Sequence, residues 1–427
     1  MTPHVDRAAR NQAIAAAVSG LQQDLISALQ ALVRTSSQTG DEGAAQDEVV
    51  RLMAEDDLEI DRWEPNPDGL APYAESVTLA GGFAGRPNVV GVCAGGGKGR
   101  SLILNGHIDT VEIGERTAWR HDPLGGEVID GRLYGRGACD MKGGLIANLF
   151  ALRALRRAGF SPAGTVTVES TISEEDGGAG ALAAVLRGYT ADAALITEPT
   201  DLAIVPAHGG ALMFRLHVPG LSAHAAVRDE GVSAIEKFAL LHRGLLAFEA
   251  RHNETITHPL YATKRNRAPI NVGVVRSGAW PSSVPEQLIA EGRAGLAPGE
   301  SLGQLKEQLA AEIAAVAAED AWLRDHPPTI EWLEGQFAPS DVPVDSQLVT
   351  ALAAAWESIS GRPARIDAAT YGADMRHFVN TGHTPCVMFG AGDVRHAHAP
   401  NESVRLDDLV TATTTIAVFI ADWSGVV

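Results

Sequence analysis

The sequence predicts an α/β protein whose largely parallel sheet is interrupted by a smaller α+β domain. In the first half of the chain, short apolar runs typical of buried strands alternate with leucines at helical spacing, which is the pattern of βαβ units. Between residues 207 and 331 the order changes to β-α-β-β-α-β, the split pattern of ferredoxin-like domains. We therefore predict a main domain formed by residues 1–206 and 332–427, with residues 207–331 inserted into it.

Length, composition and charge limit the class of protein. The chain has 427 residues, 45% of them hydrophobic, so it can bury a core large enough for two or more domains. A formal net charge of −19 argues against a nucleic-acid or anionic-membrane partner, because like charges repel, and small molecules are the expected partners.

Cysteine usage and the amino terminus predict the compartment. Cys93, Cys139 and Cys386 are too few and too unpatterned for a disulfide scaffold or a thiolate zinc cluster, which suits a reducing cytosol. Residues 1–20 lack a signal-peptide pattern, and no segment approaches ~18 uninterrupted apolar residues. We predict a soluble, cytoplasmic protein that does not contact a membrane.

The amino-terminal part of the chain contains two helical patterns, a long loop and two short strands. In order, these are helices 19–34 and 43–55, a Pro- and Gly-rich loop 64–87, and strands 88–93 and 101–104. The strands are joined by AGGGKG, which we interpret as a tight hairpin turn. It is not a phosphate-binding loop, because Val92 and Gly99 replace the glycine and the hydroxyl residue that such a loop needs.

A histidine and an aspartate follow the second of these strands. Strand 101–104 is predicted to end in the turn Asn105-Gly106, after which His107 and Asp109 are two positions apart. Side chains at i and i+2 of an extended backbone point the same way, so the imidazole and the carboxylate should lie side by side. A metal-ligand histidine is commonly held like this, although a surface hydrogen bond is the alternative for the pair taken alone.

Further carboxylates occur at comparable positions. Residues 118–144 are predicted to form a glycine-rich loop and hairpin that brings Asp140 to the start of helix 142–158, where it could also be a helix cap. Strand 165–172 runs into the acidic sequence SEED at 173–176, whose adjacent charges repel unless solvent or a cation offsets them.

Strand 193–196 ends in Thr197-Glu198. Ligands of parallel sheets bind at the carboxyl ends of the strands, so these groups are predicted to converge there.

The inserted domain and the carboxyl-terminal part carry the remaining candidates. The predicted elements are strand 211–218, helix 233–252, strands 269–276 and 286–294, helix 301–319, strand 329–333, helix 345–361 and a last strand 385–389. His224 stands at a strand-to-helix junction of the insert. After the last strand, His396 and His398 alternate, and on an extended loop only one of them need face the site.

Six motifs in order give the chain a family resemblance. With NGHIDT, GRGACDMKGG, SEED, TEPT, GLSAHA and HAHAPNE, it resembles the acetylornithine deacetylase and succinyl-diaminopimelate desuccinylase family, which belongs to the co-catalytic zinc metallopeptidases and aminoacylases. The resemblance spans residues 20–425. It implies a zinc-peptidase-like catalytic domain and an inserted lid that also forms a homodimer.

The resemblance also implies a site with two divalent metal ions. The five implied ligands are His107, Asp140, Glu175, Glu198 and His398, with Asp140 bridging the two metals and His396 outside the ligand set. His107 and Glu198 would complete one site, and Glu175 and His398 the other. Nitrogen and oxygen ligands without thiolate suit Zn²⁺, with Co²⁺ or Mn²⁺ as substitutes, and the metal charge would offset the clustered carboxylates.

Other residues receive implied roles in catalysis or substrate binding. Glu174 would be the general base, and Asp109 would orient His107. His224 would stabilise the oxyanion of a neighbouring subunit's site. The candidate substrate contacts are Asn271, Arg276, Arg293 and Arg376, and a surface role is the alternative for those in the insert.

Three functions compete at this stage. The first is a dinuclear amidohydrolase that removes an acetyl, succinyl or formyl group from an amino acid or related amine. The second is a dipeptidase or carboxypeptidase, or a deformylase of a heterocyclic amine. The third is a non-catalytic binding protein, which the presence of Glu174 and all five ligands argues against. We expect a small N-acyl substrate, with the acyl group and the amine left open.

Overall fold

A computed structural model describes residues 6–427. Its α-helices are α1 (Arg7–Gly20), α2 (Gln22–Arg34), α3 (Gly43–Glu55), α4 (Pro67–Leu70), α5 (Lys142–Arg157), α6 (Ala179–Arg187), α7 (Ala234–Thr255), α8 (Leu302–Glu319), α9 (Ala321–Asp325), α10 (Gln347–Ser360) and α11 (Leu406–Trp423).

The strands form three sheets. They are β1 (Glu59–Trp63), β2 (Asn88–Cys93), β3 (Leu102–His107), β4 (Glu127–Ile129), β5 (Arg132–Tyr134), β6 (Val166–Thr171), β7 (Ala194–Ile196), β8 (Ile204–His208), β9 (Gly210–Pro219), β10 (Ile270–Ser277), β11 (Gln287–Leu296), β12 (Thr329–Trp332), β13 (Ser340–Asp341), β14 (Ile366–Ala369), β15 (Cys386–Met388) and β16 (Ser403–Arg405).

The largest sheet has nine strands and a parallel centre. Its order is β1-β2-β6-β3-β7-β15-β8-β13, with β14 paired to β8. The four central strands β6, β3, β7 and β15 run parallel, whereas the pairs toward both edges are mostly antiparallel. The α/β fold class predicted from the sequence is therefore confirmed.

Helices cover the sheet, and its central strands are therefore buried on both faces. Every residue of β3 and β6 is buried. Helices α5 and α11 are buried along most of their length and pack on each other and on the sheet, in a core that also takes in α1, α2 and α10. No helix within residues 6–427 combines the length and apolar character needed to cross a membrane.

A second sheet is built by the insert. Its four antiparallel strands have the order β10-β11-β9-β12, which is the ferredoxin-like arrangement, and α7 and α8 pack against it around a separate apolar core. The chain leaves the large sheet at His208 and enters the second at Gly210, close to the predicted boundary at residue 207. We refer to this four-stranded unit as the lid.

The predicted hairpin between β2 and β3 is wrong. β6 lies between these strands and hydrogen-bonds to both, so they are not neighbours. The glycines of the connection allow close backbone packing instead: a Cβ at Gly99 would lie 1.9 Å from the carbonyl oxygen of Ser424. The predicted turn at Asn105-Gly106 is also wrong, since β3 continues through both residues to His107.

The patterns of the sequence do not predict ten elements of the structure. These are α1, α4, β1, α6, β8, α9, β13, β14, β16 and α11. Helix α11 has buried residues around its whole circumference, so it shows no amphipathic stripe in the sequence. Strand β16 joins the β4–β5 hairpin as a third strand, and the predicted last strand at 385–389 is therefore not the last.

Candidate metal centre

The parallel centre of the sheet brings the predicted ligands to one edge. His107 is the last residue of β3, Glu198 follows β7, and Glu174 and Glu175 follow β6. These strands are neighbours and parallel, so their carboxyl ends lie side by side. Asp140 enters from outside the sheet, two residues before α5 begins.

One group of ligand atoms forms around His107. Its Nε2 lies 3.2 Å from Asp140 Oδ1 and 3.9 Å from Glu198 Oε1. His107 is 1% and Glu198 4% exposed, so both groups are screened from bulk water. We call His107, Asp140 and Glu198 the first cluster.

The second cluster consists of Asp140, Glu175 and His398. The Nε2 of His398 lies 2.9 Å from Glu175 Oε2 and 3.4 Å from Asp140 Oδ2. Asp140 thus presents one carboxylate oxygen to each cluster. His398 has a half-exposed side chain and lies on a loop, unlike the ligands at the strand ends.

The electrostatics of the two clusters fit divalent cations. Burial raises the pKa of Glu198 well above its ordinary value, and burial together with neighbouring Asp140 raises the pKa of Glu175. Hydrogen bonds to Asp140 and Glu175 raise the pKa of His398 to about 10. Glu198 and Glu175 therefore lack compensating positive charge and draw protons to the site. Cations bound by nitrogen and oxygen atoms would supply that charge, so the donor set fits Zn²⁺, Co²⁺ or Mn²⁺.

Asp109 makes contacts different from the one expected. His107 Nδ1 lies 2.9 Å from the backbone carbonyl oxygen of Asp109 and 3.6 Å from its carboxylate. Because a carbonyl only accepts, Nδ1 carries the hydrogen and Nε2 is left free for a cation. The Asp109 carboxylate accepts the backbone N–H groups of Glu174 at 3.1 Å and Glu175 at 3.2 Å, and the hydroxyl of Thr39 at 3.0 Å.

Glu174 and Glu175 differ in what their carboxylates meet. Glu175 belongs to the second cluster, whereas Glu174 belongs to neither and its carboxylate has no hydrogen-bond partner within the described chain. Glu174 instead lines a cavity of about 240 Å³ that the ligands also border. Burial and the neighbouring Asp374 raise the pKa of Glu174 well above its ordinary value. A carboxylate so placed can meet a reactant and take up a proton.

The predicted substrate contacts divide into one inside the cavity and three outside it. Arg293 lines the cavity, and its Nε and Nη2 are buried without hydrogen-bond partners among the residues described. Asn271 is its cross-strand neighbour, but its side chain is exposed and does not line the cavity. Arg276 is exposed near Glu291 at 3.4 Å.

Arg376 lies behind the cavity wall, which corrects its predicted contact with substrate. The side chain is buried, and its guanidinium packs over the ring of Phe337 at 3.9 Å. It donates to the backbone carbonyls of Gly177 at 2.8 Å and Ala373 at 2.9 Å. Its donors therefore stabilise backbone near the site rather than a ligand.

The two remaining candidate histidines, His224 and His396, belong to neither metal cluster of their own chain. His224 is exposed on the lid, where Nδ1 accepts the backbone N–H of Ala226 at 3.1 Å as a cap. His396 is exposed at the end of a short 3₁₀ turn, Val394–His396.

Residues without an assigned role in the sequence also shape the site. Apolar side chains of the cavity wall come from both the lid and the main sheet domain: Ala211, Met213, Phe337, Tyr371 and Val394. Glu402 accepts the backbone N–H groups of Cys139 and Asp140. The thiol of Cys139 is buried 3.5 Å from the carbonyl oxygen of Asp393 and does not line the cavity. The only sequence signal for Glu402 was its place in HAHAPNE.

Comparison with known proteins decides the family. The model of Peptidase family M20/M25/M40 matches residues 103–422. The chain belongs to this family. It is 31% identical over 361 residues to the N-formyl-4-amino-5-aminomethyl-2-methylpyrimidine deformylase of Bacillus subtilis (strain 168), a match that covers 80% of this chain and 84% of that protein. It is 30% identical over 381 residues to the acetylornithine deacetylase of Myxococcus xanthus, covering 83% and 92%.

Solved structures of the M20 family share the fold. The M20 metallo-carboxypeptidase Sso-CP2 from Sulfolobus solfataricus superposes with a TM-score of 0.72 at 17% identity, covering 94% of this chain and 99% of that one. Human carnosine dipeptidase 1 gives a TM-score of 0.73 at 15% identity, covering 97% and 98%. The M20 membership confirms the resemblance predicted from the six motifs. The protein is a metal-dependent hydrolase that acts on amide bonds, and its site fits divalent metals.

Proposed function

We propose that this M20 hydrolase binds two divalent cations and removes a short acyl group from the nitrogen of a small amine. The observation that carries the proposal is the position of Asp140, whose two oxygens lie 3.2 Å and 3.4 Å from the Nε2 atoms of His107 and His398. A carboxylate shared in this way suits a pair of cations. We propose Zn²⁺ as the native ion, with Co²⁺ or Mn²⁺ as substitutes.

The proposed reaction assigns each step to a residue of the chain. Bound cations would supply Lewis acidity, which polarises the amide carbonyl and acidifies water. Glu174 takes a proton from the attacking water as the new C–O bond forms, and then donates that proton to the nitrogen as the C–N bond breaks. Asp109 keeps Glu174 facing the cavity by accepting its backbone N–H.

Arg293 supports a substrate that carries an anionic group. Its guanidinium lines the cavity with unpartnered nitrogen atoms, and an arginine fork matches a carboxylate well. This favours an N-acyl amino acid.

A deformylase acting on a heterocyclic amine is the second candidate. It is favoured by the 31% identity to the deformylase relative and by the apolar cavity wall that includes Phe337 and Tyr371.

A substrate panel separates the two candidates. Zinc-loaded enzyme is assayed with N-acetyl, N-succinyl and N-formyl amines, each with and without a carboxylate on the amine, and released amine is quantified. The metal-loaded Glu174→Gln variant is the control for contaminating activity. Preference for the carboxylate series supports acyl-amino-acid hydrolysis, and preference for N-formyl heterocycles supports the second candidate. No turnover of any compound contradicts the proposed function.

We further propose a homodimer in which His224 of one subunit serves the site of the other. The exposed position of His224, away from its own clusters, supports this, since an imidazole N–H could stabilise the oxyanion of a neighbouring site. His224→Ala mixed with Glu174→Ala under subunit exchange should regain activity. Proven exchange without recovery excludes supply between subunits. The three free cysteines are consistent with the cytoplasmic location that we propose.

A further inference from the structure

Glu402 is a buried carboxylate that belongs to neither metal cluster. Its Oε1 accepts two consecutive backbone N–H groups, from Cys139 at 2.9 Å and from Asp140 at 3.0 Å. Its Oε2 pairs with Nη1 of Arg136 at 2.6 Å, and the side chains of Arg136 and Glu402 are only 4% and 1% exposed. Arg136 also donates to the carbonyl of Glu112 at 3.0 Å, which fixes the guanidinium from its other side.

Glu402 also stands on the segment that carries His398. The backbone N–H of Gly135 donates to the Glu402 carbonyl at 2.9 Å, and β16 begins at the next residue and pairs with β5. The segment before Asp140 and the segment after His398 are therefore joined at Glu402, through its backbone and both oxygens of its side chain.

The two clusters depend on this junction to different degrees. In the first cluster, His107 is part of a fully buried strand and Glu198 follows another, so the large sheet holds both. In the second cluster, His398 lies on a loop with a half-exposed side chain and a left-handed backbone, φ 57°. Its distance to Asp140 is set by the contacts between the two segments.

We propose that Glu402 is a positioning residue that holds Asp140 and His398 at the spacing required by the second cation. Arg136 keeps the Glu402 carboxylate facing the two N–H groups. This inference rests on the proposed dinuclear function, and it assigns to Glu402 a role in metal affinity rather than a contact with substrate. Loss of a residue that orients metal ligands lowers metal affinity by about 10- to 100-fold.

Glu402→Gln tests the proposal with little change in volume. The amide nitrogen must face either Arg136 or the backbone N–H groups, so one of these contacts becomes donor against donor. The apoprotein is titrated with Zn²⁺ against a chromophoric chelator and, separately, with Co²⁺ while its visible absorption is recorded. Wild type should bind two cations. We assign the weaker site to the second cluster, where Glu402 positions both segments. In the variant its dissociation constant should rise by about 10- to 100-fold, and that of the tighter site, which shares only Asp140, should rise less.

A control variant breaks another, partly buried ion pair. Asp56 pairs with Nε of Arg153 at 2.8 Å near the end of α5 that lies away from Asp140, and neither residue hydrogen-bonds to a metal ligand. Asp56→Asn should lower the melting temperature and leave both metal dissociation constants unchanged.

Unchanged metal affinity in Glu402→Gln, or an equal loss of affinity at both sites, overturns the positioning role of Glu402. Either result leaves the dinuclear function standing. A wild-type protein that binds a single cation overturns the dinuclear function and this inference together. If Glu402→Gln does not fold, Arg136→Gln is titrated in its place, since it retains the Glu402 carboxylate. The same selective weakening is expected there, and its absence refutes the proposal.

Discussion

Replacing Glu174 by glutamine should remove most of the activity while leaving the metal content intact. Glu174 is 7% exposed, lines the cavity, and belongs to neither cluster, so its carboxylate is available to the reaction rather than to a cation. Glutamine keeps the volume of the side chain and the backbone N–H that donates to Asp109 at 3.1 Å. The turn that also carries Glu175 should therefore stay in place.

The expected loss follows from the step that is removed. General acid–base catalysis contributes about 10² to 10⁴ in rate, which corresponds to ~2.7–5.5 kcal/mol of transition-state stabilisation. Glutamine can neither accept the proton of the attacking water nor return it to the leaving nitrogen, so the effect should appear in kcat. KM should change little, because substrate binding is not the step lost.

The assay measures kcat at saturating zinc together with metal per chain by plasma emission. Glu175→Gln, at the next residue, is the matched control variant. It should lose metal, because Glu175 Oε2 lies 2.9 Å from His398 Nε2 in the second cluster. A Glu174→Gln protein that keeps its metals and turns over within tenfold of wild type would refute the assignment. Loss of a metal from that variant would instead make Glu174 a ligand.

Three further predictions test the site and the fold. Metal analysis should show that His398→Ala loses one cation and His396→Ala loses none; the reverse result would exchange their roles. Arg293→Met should raise KM about 10- to 100-fold for substrates with a carboxylate and leave neutral ones unaffected, as expected for a lost charged hydrogen bond of ~1.5–3 kcal/mol. Burial lowers the pKa of His208 to about 4 from 6.5, so the unfolded chain binds more protons between these values. Stability should fall as pH drops from 6.5 to 4, by up to ~1.36 kcal/mol per unit, and unfolding free energies of His208→Gln should show a smaller slope.

The sequence predicted the ligand-bearing elements because their signals are local. His107, Glu175 and Glu198 each stand at or just after the end of a predicted strand, and the carboxyl ends of parallel strands lie at one edge of the sheet. Helix α5 and the lid could be predicted in the same way, because their apolar residues recur at regular spacings.

Interactions between distant segments could not be predicted in the same way. The pairing of Glu402 with Arg136 joins positions 266 residues apart, and nothing local in the sequence distinguishes this glutamate from a surface one. Arg376 shows that a polar sequence context can also mislead. Its motif suggested a substrate contact, whereas its guanidinium packs on Phe337 and donates to two backbone carbonyls. The contacts of the Asp109 carboxylate could not be predicted either. Its partners are the backbone N–H groups of Glu174 and Glu175, and every residue type except proline offers such a group.

Glycines explain how Asp140 reaches ligands that are held by the sheet. A Cβ at Gly144, in the first turn of α5, would lie 2.1 Å from the carbonyl oxygen of Thr197, the residue before Glu198. A Cβ at Gly106, next to His107, would lie 3.2 Å from the Cβ of Leu145. The start of α5 can therefore rest directly on the ends of β3 and β7. Any larger side chain at position 144 would push the helix start outward, and with it Asp140, whose 3.2 Å separation from His107 Nε2 allows one cation to contact both. The glycines of NGHIDT and MKGG thus set the geometry of the metal centre although they supply none of its ligands.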